Sequence, residues 1–142
     1  MSFSKEHKEA LTEELKGMFC RAKFELNGHS IVVSRERKSE GQTVLVVYID
    51  GYIQGKNLGS ISDKTDQVAK QVYRRRYVAQ YKPKQIRSIE KIFGKRRAKK
   101  DFPNLHSKRV YLDCSFNTAS TLIRQFSKLE GIKLVELGGE AV

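Results

Sequence analysis

The chain has no tryptophan and only three histidines, two cysteines and two prolines among its 142 residues. Cys20 and Cys114 stand far apart in apolar surroundings, the pattern of buried free thiols in a reducing compartment. The cytoplasm is therefore the expected location. His7, His29 and His106 are isolated and fit no metal-ligand spacing, so neither a metal site nor a cofactor is expected. No nucleophile elbow, Cys/His signature, GxxxxGK[ST] or GxGxxG pattern occurs, and no catalytic residue is assigned. Apolar runs fall well short of 18 residues, which excludes a transmembrane helix. Residues 1–7 lack the apolar segment of a secretory signal.

The scarcest feature is negative charge within one stretch. From Lys70 to Lys100, thirteen Lys or Arg face a single acid, Glu90. Outside that stretch the charges balance at fifteen basic and fifteen acidic residues, so the whole net charge of +12 lies in about a fifth of the chain. A surplus so concentrated creates a strong local potential and calls for an anionic partner. With 39% hydrophobic residues, seven Phe and six Tyr, the chain is nevertheless expected to fold rather than remain a basic tail.

Periodicity predicts a helix over 4–19, with Leu11, Leu15, Met18 and Phe19 on one side and Ser2 or Ser4 as its cap. Lys23–Leu26 and Ser30–Arg37 read as strands joined by Asn27-Gly28, a strong hairpin signal. After a turn at 38–41, Thr43–Ile53 is the most apolar strand, covered on both faces in its first half. Ser62, Thr65 or Asp66 opens a helix to about Gln80, which Tyr81-Lys82-Pro83 breaks. A second helix, Lys84–Phe93, stops at Gly94, and Lys95–Lys100 is too charged to bury. Then come a strand at Arg109–Cys114, a helix capped by Ser115 or Asn117, and a last strand at Ile132–Leu137. The fold class is α+β in the order α-β-β-β-α-α-β-α-β: one domain, 1–142, with helices on a mainly antiparallel sheet and a basic helical segment at 66–100.

The helix Lys84–Phe93 is two-faced, with Ile86, Ile89, Ile92 and Phe93 opposite Lys84, Arg87 and Lys91. Its isoleucines are expected to dock and its cations to face a ligand. On the preceding helix, Tyr73, Tyr77 and Tyr81 form a stripe beside Arg74, while Arg76 falls on the apolar side and must snorkel or pair. The expected nucleic-acid contacts are Arg74, Arg75, Tyr77, Lys82, Lys84, Arg87, Lys91, Lys95, Arg96, Arg97, Lys99 and Lys100, phosphates being held by the cations and bases by the ring.

The leading expectation is a non-enzymatic nucleic-acid-binding protein, its partner DNA or RNA. The alternative is a small interaction or inhibitor protein meeting an acidic protein or a nucleoprotein complex, as a mobile-element regulator or anti-CRISPR would. No membrane partner is expected. Two consecutive basic helices also admit a helix-turn-helix, against which stand the length of the first and Pro83 in the turn. The first 80 residues resemble double-stranded-RNA-binding domains in element order alone, without a matching basic motif. A magnesium-dependent nuclease would draw on Glu36 and Lys38 at one strand end and Asp50 on the neighbouring strand.

Overall fold

The computed structural model describes residues 3–142. Its first helix, α1 (Lys5–Leu15), is capped by Ser4, whose hydroxyl accepts the His7 N–H at 3.1 Å. Ser2, the other expected cap, lies outside the described residues. The helix ends four residues earlier than the periodicity implied. Gly17 closes its last turn on the Glu14 carbonyl, and the chain turns to bury Cys20. Met18 and Phe19 are thereby left exposed, Phe19 at 99%, instead of continuing the apolar face.

Strands β1 (Arg21–Leu26) and β2 (His29–Ser39) pair antiparallel through Asn27 and Gly28, with φ of 50° and 81°. Those values suit a two-residue turn of the primed type, which needs positive φ at both positions. Ala22, Phe24 and Leu26 alternate inward along β1. Strand β3 (Gln42–Ile49) returns along β2, and Val44, Leu45, Val46 and Val47 are all buried, so both of its faces are covered as expected. A 3-10 turn (Gly55–Asn57) and a short strand β4 (Gly59–Ser60) lead to α2 (Gln67–Val72), with Asp66 at its N-cap.

Here the structure departs from the predicted long helix, because Arg74–Ala79 is a strand, β5. The Gln125 side-chain amide donates to the carbonyls of Gln71 and Tyr73, both at 2.9 Å, taking acceptors that a continuing helix would use. Tyr73 is meanwhile drawn fully into the core. Two helices follow, α3 (Pro83–Phe93) and α4 (Lys95–Asp101), then strands β6 (Lys108–Asp113) and β7 (Ser115–Phe116). Helix α5 (Ala119–Ser127) is capped by Thr118 rather than Ser115 or Asn117. Strands β8 (Lys133–Leu137) and β9 (Glu140–Ala141) complete the chain.

The class is α+β, and the predicted order holds as its framework. The six-stranded sheet runs β7-β3-β2-β1-β8-β9, with its pairs antiparallel. Leu11 and Leu15 of α1 share its core with Leu122, Ile123 and Phe126 of α5. The Phe126 ring meets Phe24 and Phe116 edge-on, at centroid distances of 5.1 and 6.2 Å. Strands β5 and β6 neighbour each other in a second, smaller sheet.

The chain divides into two compact units. The larger comprises residues up to Arg74 together with Leu112–Val142, and the smaller is Arg75–Tyr111.

Candidate nucleic-acid interface

The division by contacts is also a division by charge. The smaller unit holds thirteen Lys or Arg against Glu90 and Asp101, a surplus of eleven out of the chain's +12. Its charged side chains are almost all exposed around a modest core. Ala98 and Leu105 are buried there, and the Phe93 and Phe102 rings lie 5.7 Å apart.

Helix α3 begins with Pro83 at its first position, where the missing N–H costs nothing. The Gln85 side chain accepts the Lys82 N–H at 2.9 Å and secures that end, and Gly94, at φ 78°, stops the other. Lys84, Arg87 and Lys91 are exposed as expected. The isoleucines dock less completely than their spacing implied. Ile86 and Ile89 are half-buried and Ile92 is 74% exposed; among the described residues, only Ala98 and Leu105 of the smaller unit are fully buried apolar side chains.

Lys95–Lys100 forms most of helix α4, with Lys95, Arg96, Arg97, Lys99 and Lys100 exposed and only Ala98 of the segment buried. Arg97 lies 5.9 Å from the Phe93 ring centroid and pairs with Asp101 at 3.3 Å. Both contacts are at the surface and hold the guanidinium weakly.

Strand geometry separates the tyrosine stripe. Tyr73 is buried in the larger unit, where burial pushes its phenol up to about 12 and no hydrogen-bond partner among the described residues meets its hydroxyl. Tyr77 is 63% exposed on β5 and Tyr81 is half-buried beyond it. Arg75 and Arg76 are exposed as well, so Arg76 does not face a core.

Arg74 plays a different part from its neighbours. Its Nη2 meets Asp113 Oδ2 at 3.1 Å and its Nε donates to the Ser115 carbonyl at 2.9 Å. The two side chains are 24% and 26% exposed. Burial pushes the Asp113 carboxyl up, but the Ser115 N–H, the Ser115 hydroxyl and Arg74 outweigh it and hold the group below the ordinary carboxylate range. Arg74 thus ties the point where the chain leaves the larger unit to the point where it re-enters.

Three residues absent from the expected set belong to the same basic unit: Lys108, Arg109 and Tyr111 on β6. Alternation was the signal available in the sequence. With Val110 and Leu112 inward, Arg109 and Tyr111 share the opposite face.

The nuclease arrangement does not assemble. Glu36 sits opposite Val44 in the β2–β3 ladder and accepts the Tyr48 hydroxyl. Asp50 binds His29 at 2.7 Å and the Ser30 N–H at 2.8 Å, which hold its carboxyl below the usual range. Glu36 is six positions along the strand from Ser30, about 20 Å at roughly 3.3 Å per residue. The helix-turn-helix reading also lapses, since β5 stands where its first helix would end. Among the described residues, no group of three or more His, Cys, Asp or Glu is placed to hold a metal, and no helix is long and apolar enough to cross a membrane.

No protein-family model, curated protein or solved structure matches the chain.

Proposed function

We propose that the chain is a non-enzymatic nucleic-acid-binding protein whose smaller unit holds the phosphate backbone. The observation that carries this reading is the coincidence of charge and architecture. Eleven of twelve net positive charges fall in the 37 residues of Arg75–Tyr111, on side chains displayed to solvent. Phosphate contacts of this kind supply affinity without sequence information. Two free thiols, Cys20 and Cys114, suit a reducing compartment such as the cytoplasm.

Binding should therefore weaken steeply with salt. With about five phosphates engaged, log K falls against log[salt] with a slope of roughly −4 to −5 on duplex DNA. Fluorescence anisotropy with labelled DNA and RNA between 50 and 200 mM salt measures it, and added Mg²⁺ should leave the nucleic acid intact. No binding at 50 mM salt to any of these ligands sinks the proposal.

A second reading rests on Ile92, an exposed apolar side chain on the strongly basic α3. Phosphate binding has no use for it, whereas an acidic protein or nucleoprotein partner with an apolar spot would. Capture of such a partner by a chain that ignores free nucleic acid would establish this reading instead.

A further inference from the structure

The cations account for attraction to any polyanion, but the smaller unit also carries three tyrosines, Tyr77, Tyr81 and Tyr111. On β5, Tyr77 and Ala79 are two residues apart and share a side; on β6, Arg109 and Tyr111 do the same. The Gln80 N–H donates to the Ser107 carbonyl at 3.1 Å and links the two segments there. Beside that link lies a cleft of about 410 Å³, lined by Tyr81, Arg109 and Tyr111 with Val78, Ala79 and Gln80. Ala79 contributes only a methyl group to the lining. Tyr81 and Tyr111 are half-buried, so each keeps part of its ring open to the cleft.

We infer that this face binds single-stranded nucleic acid, with an unpaired base entering the cleft between Tyr81 and Tyr111 and a second base lying on Tyr77. The inference rests on the nucleic-acid reading above and specifies the form of its ligand. A flat heterocycle offers a π-face to each tyrosine, and the Arg109 guanidinium is placed to stack on the same base or to hold its phosphate. The charge around the cleft matches a backbone of negative charge. Bases within a duplex are stacked on their neighbours and cannot present their faces to the rings, so the cleft discriminates against double strands.

The absence of tryptophan makes the test direct, because six tyrosines are the dominant source of the chain's intrinsic fluorescence. Titration of the intact protein with dT20 or rU20 should quench that emission, and a 20-base-pair duplex should quench it much less. Tyr111→Ala and Tyr81→Ala should each weaken single-strand binding about tenfold and alter duplex binding less than twofold. Tyr111→Phe keeps the ring and should stay near wild type. Equal quenching by duplex and single strands overturns the inference, a result that needs no variant to fold. Equal losses on both ligands, or no loss in the alanine variants, do the same while leaving phosphate binding by the basic unit intact. Failure of every polynucleotide to bind removes the proposed function and this inference together.

Discussion

Replacing Lys84, Arg87 and Lys91 together by Glu should cut polynucleotide affinity more than about 100-fold at 0.1 M salt and flatten the salt slope by about three. The melting temperature should stay level or rise slightly. All three side chains are exposed, with half-buried Ile86 and Ile89 on the other side of the same helix, so the packing of α3 is untouched. Surface changes of this kind cost within about 0.5 kcal/mol each. The reversal lowers the surplus of the smaller unit from eleven to five, which relieves repulsion among its cations. Lys5 and Lys8 on α1 and Lys16 at its C-cap serve as the control triple. They lie among Glu6, Glu9, Glu13 and Glu14, and Lys16 pairs with Glu13 at 3.1 Å. Reversing them should cost far less affinity. Equal losses from the two triples would reduce the attraction to net charge, and undiminished binding by the α3 triple would remove the helix from the interface.

Arg74→Ala should lower stability at pH 7 by about 2 kcal/mol, read from chemical denaturation, while shifting polynucleotide affinity less than about threefold. Removing one member of a fully buried pair costs about 3–5 kcal/mol. Here both side chains are about a quarter exposed, and water screens part of that cost. Arg74→Lys should restore little, since an ammonium cannot reach Asp113 and the Ser115 carbonyl with one planar fork. The sign with pH follows from Asp113. Its carboxyl titrates lower in the folded chain than its unfolded value of about 3.9, so the stabilisation is present above that value and lost as pH falls through the folded one. The gap between wild type and Arg74→Ala should accordingly narrow below about pH 4. Equal stabilities at pH 7 would show that the pair contributes nothing.

Much of the scaffold was legible in the residues because local and tertiary preferences agree there. Asn27-Gly28 fixes one hairpin, and the run Val44–Val47 reads as a strand covered twice. Gly94 stops α3 because only glycine takes its backbone angle without strain. The stretch 74–79 was misread because what ends α2 is Gln125, some fifty residues away, and no local pattern announces a distant amide claiming two carbonyls. The same error built a tyrosine stripe and placed Arg76 on an apolar face. Ten of the twelve expected contacts are exposed cations of the smaller unit, since charge alone put them at the surface, and Tyr77 is exposed with them. Arg74 could not be set apart from Arg75 and Arg76 by composition, because its role depends on Asp113 across the chain. Arg109 and Tyr111 were within reach of strand alternation, since Val110 and Leu112 take the opposite side of β6.

The tie between Arg74 and Asp113 bears on how such a chain can change by descent. The excursion from 75 to 111 begins and ends at crossing points held by one side chain. The entropy of closing a loop grows only with the logarithm of its length, so doubling that excursion costs about 0.6 kcal/mol. That is less than the roughly 2 kcal/mol expected of the clasp. Changes in the length of the segment are therefore cheap for the scaffold in loop-closure entropy. The segment has the properties of a cassette: diverging copies of this chain can alter residues 75–111 between two fixed strand ends without redesigning the six-stranded sheet.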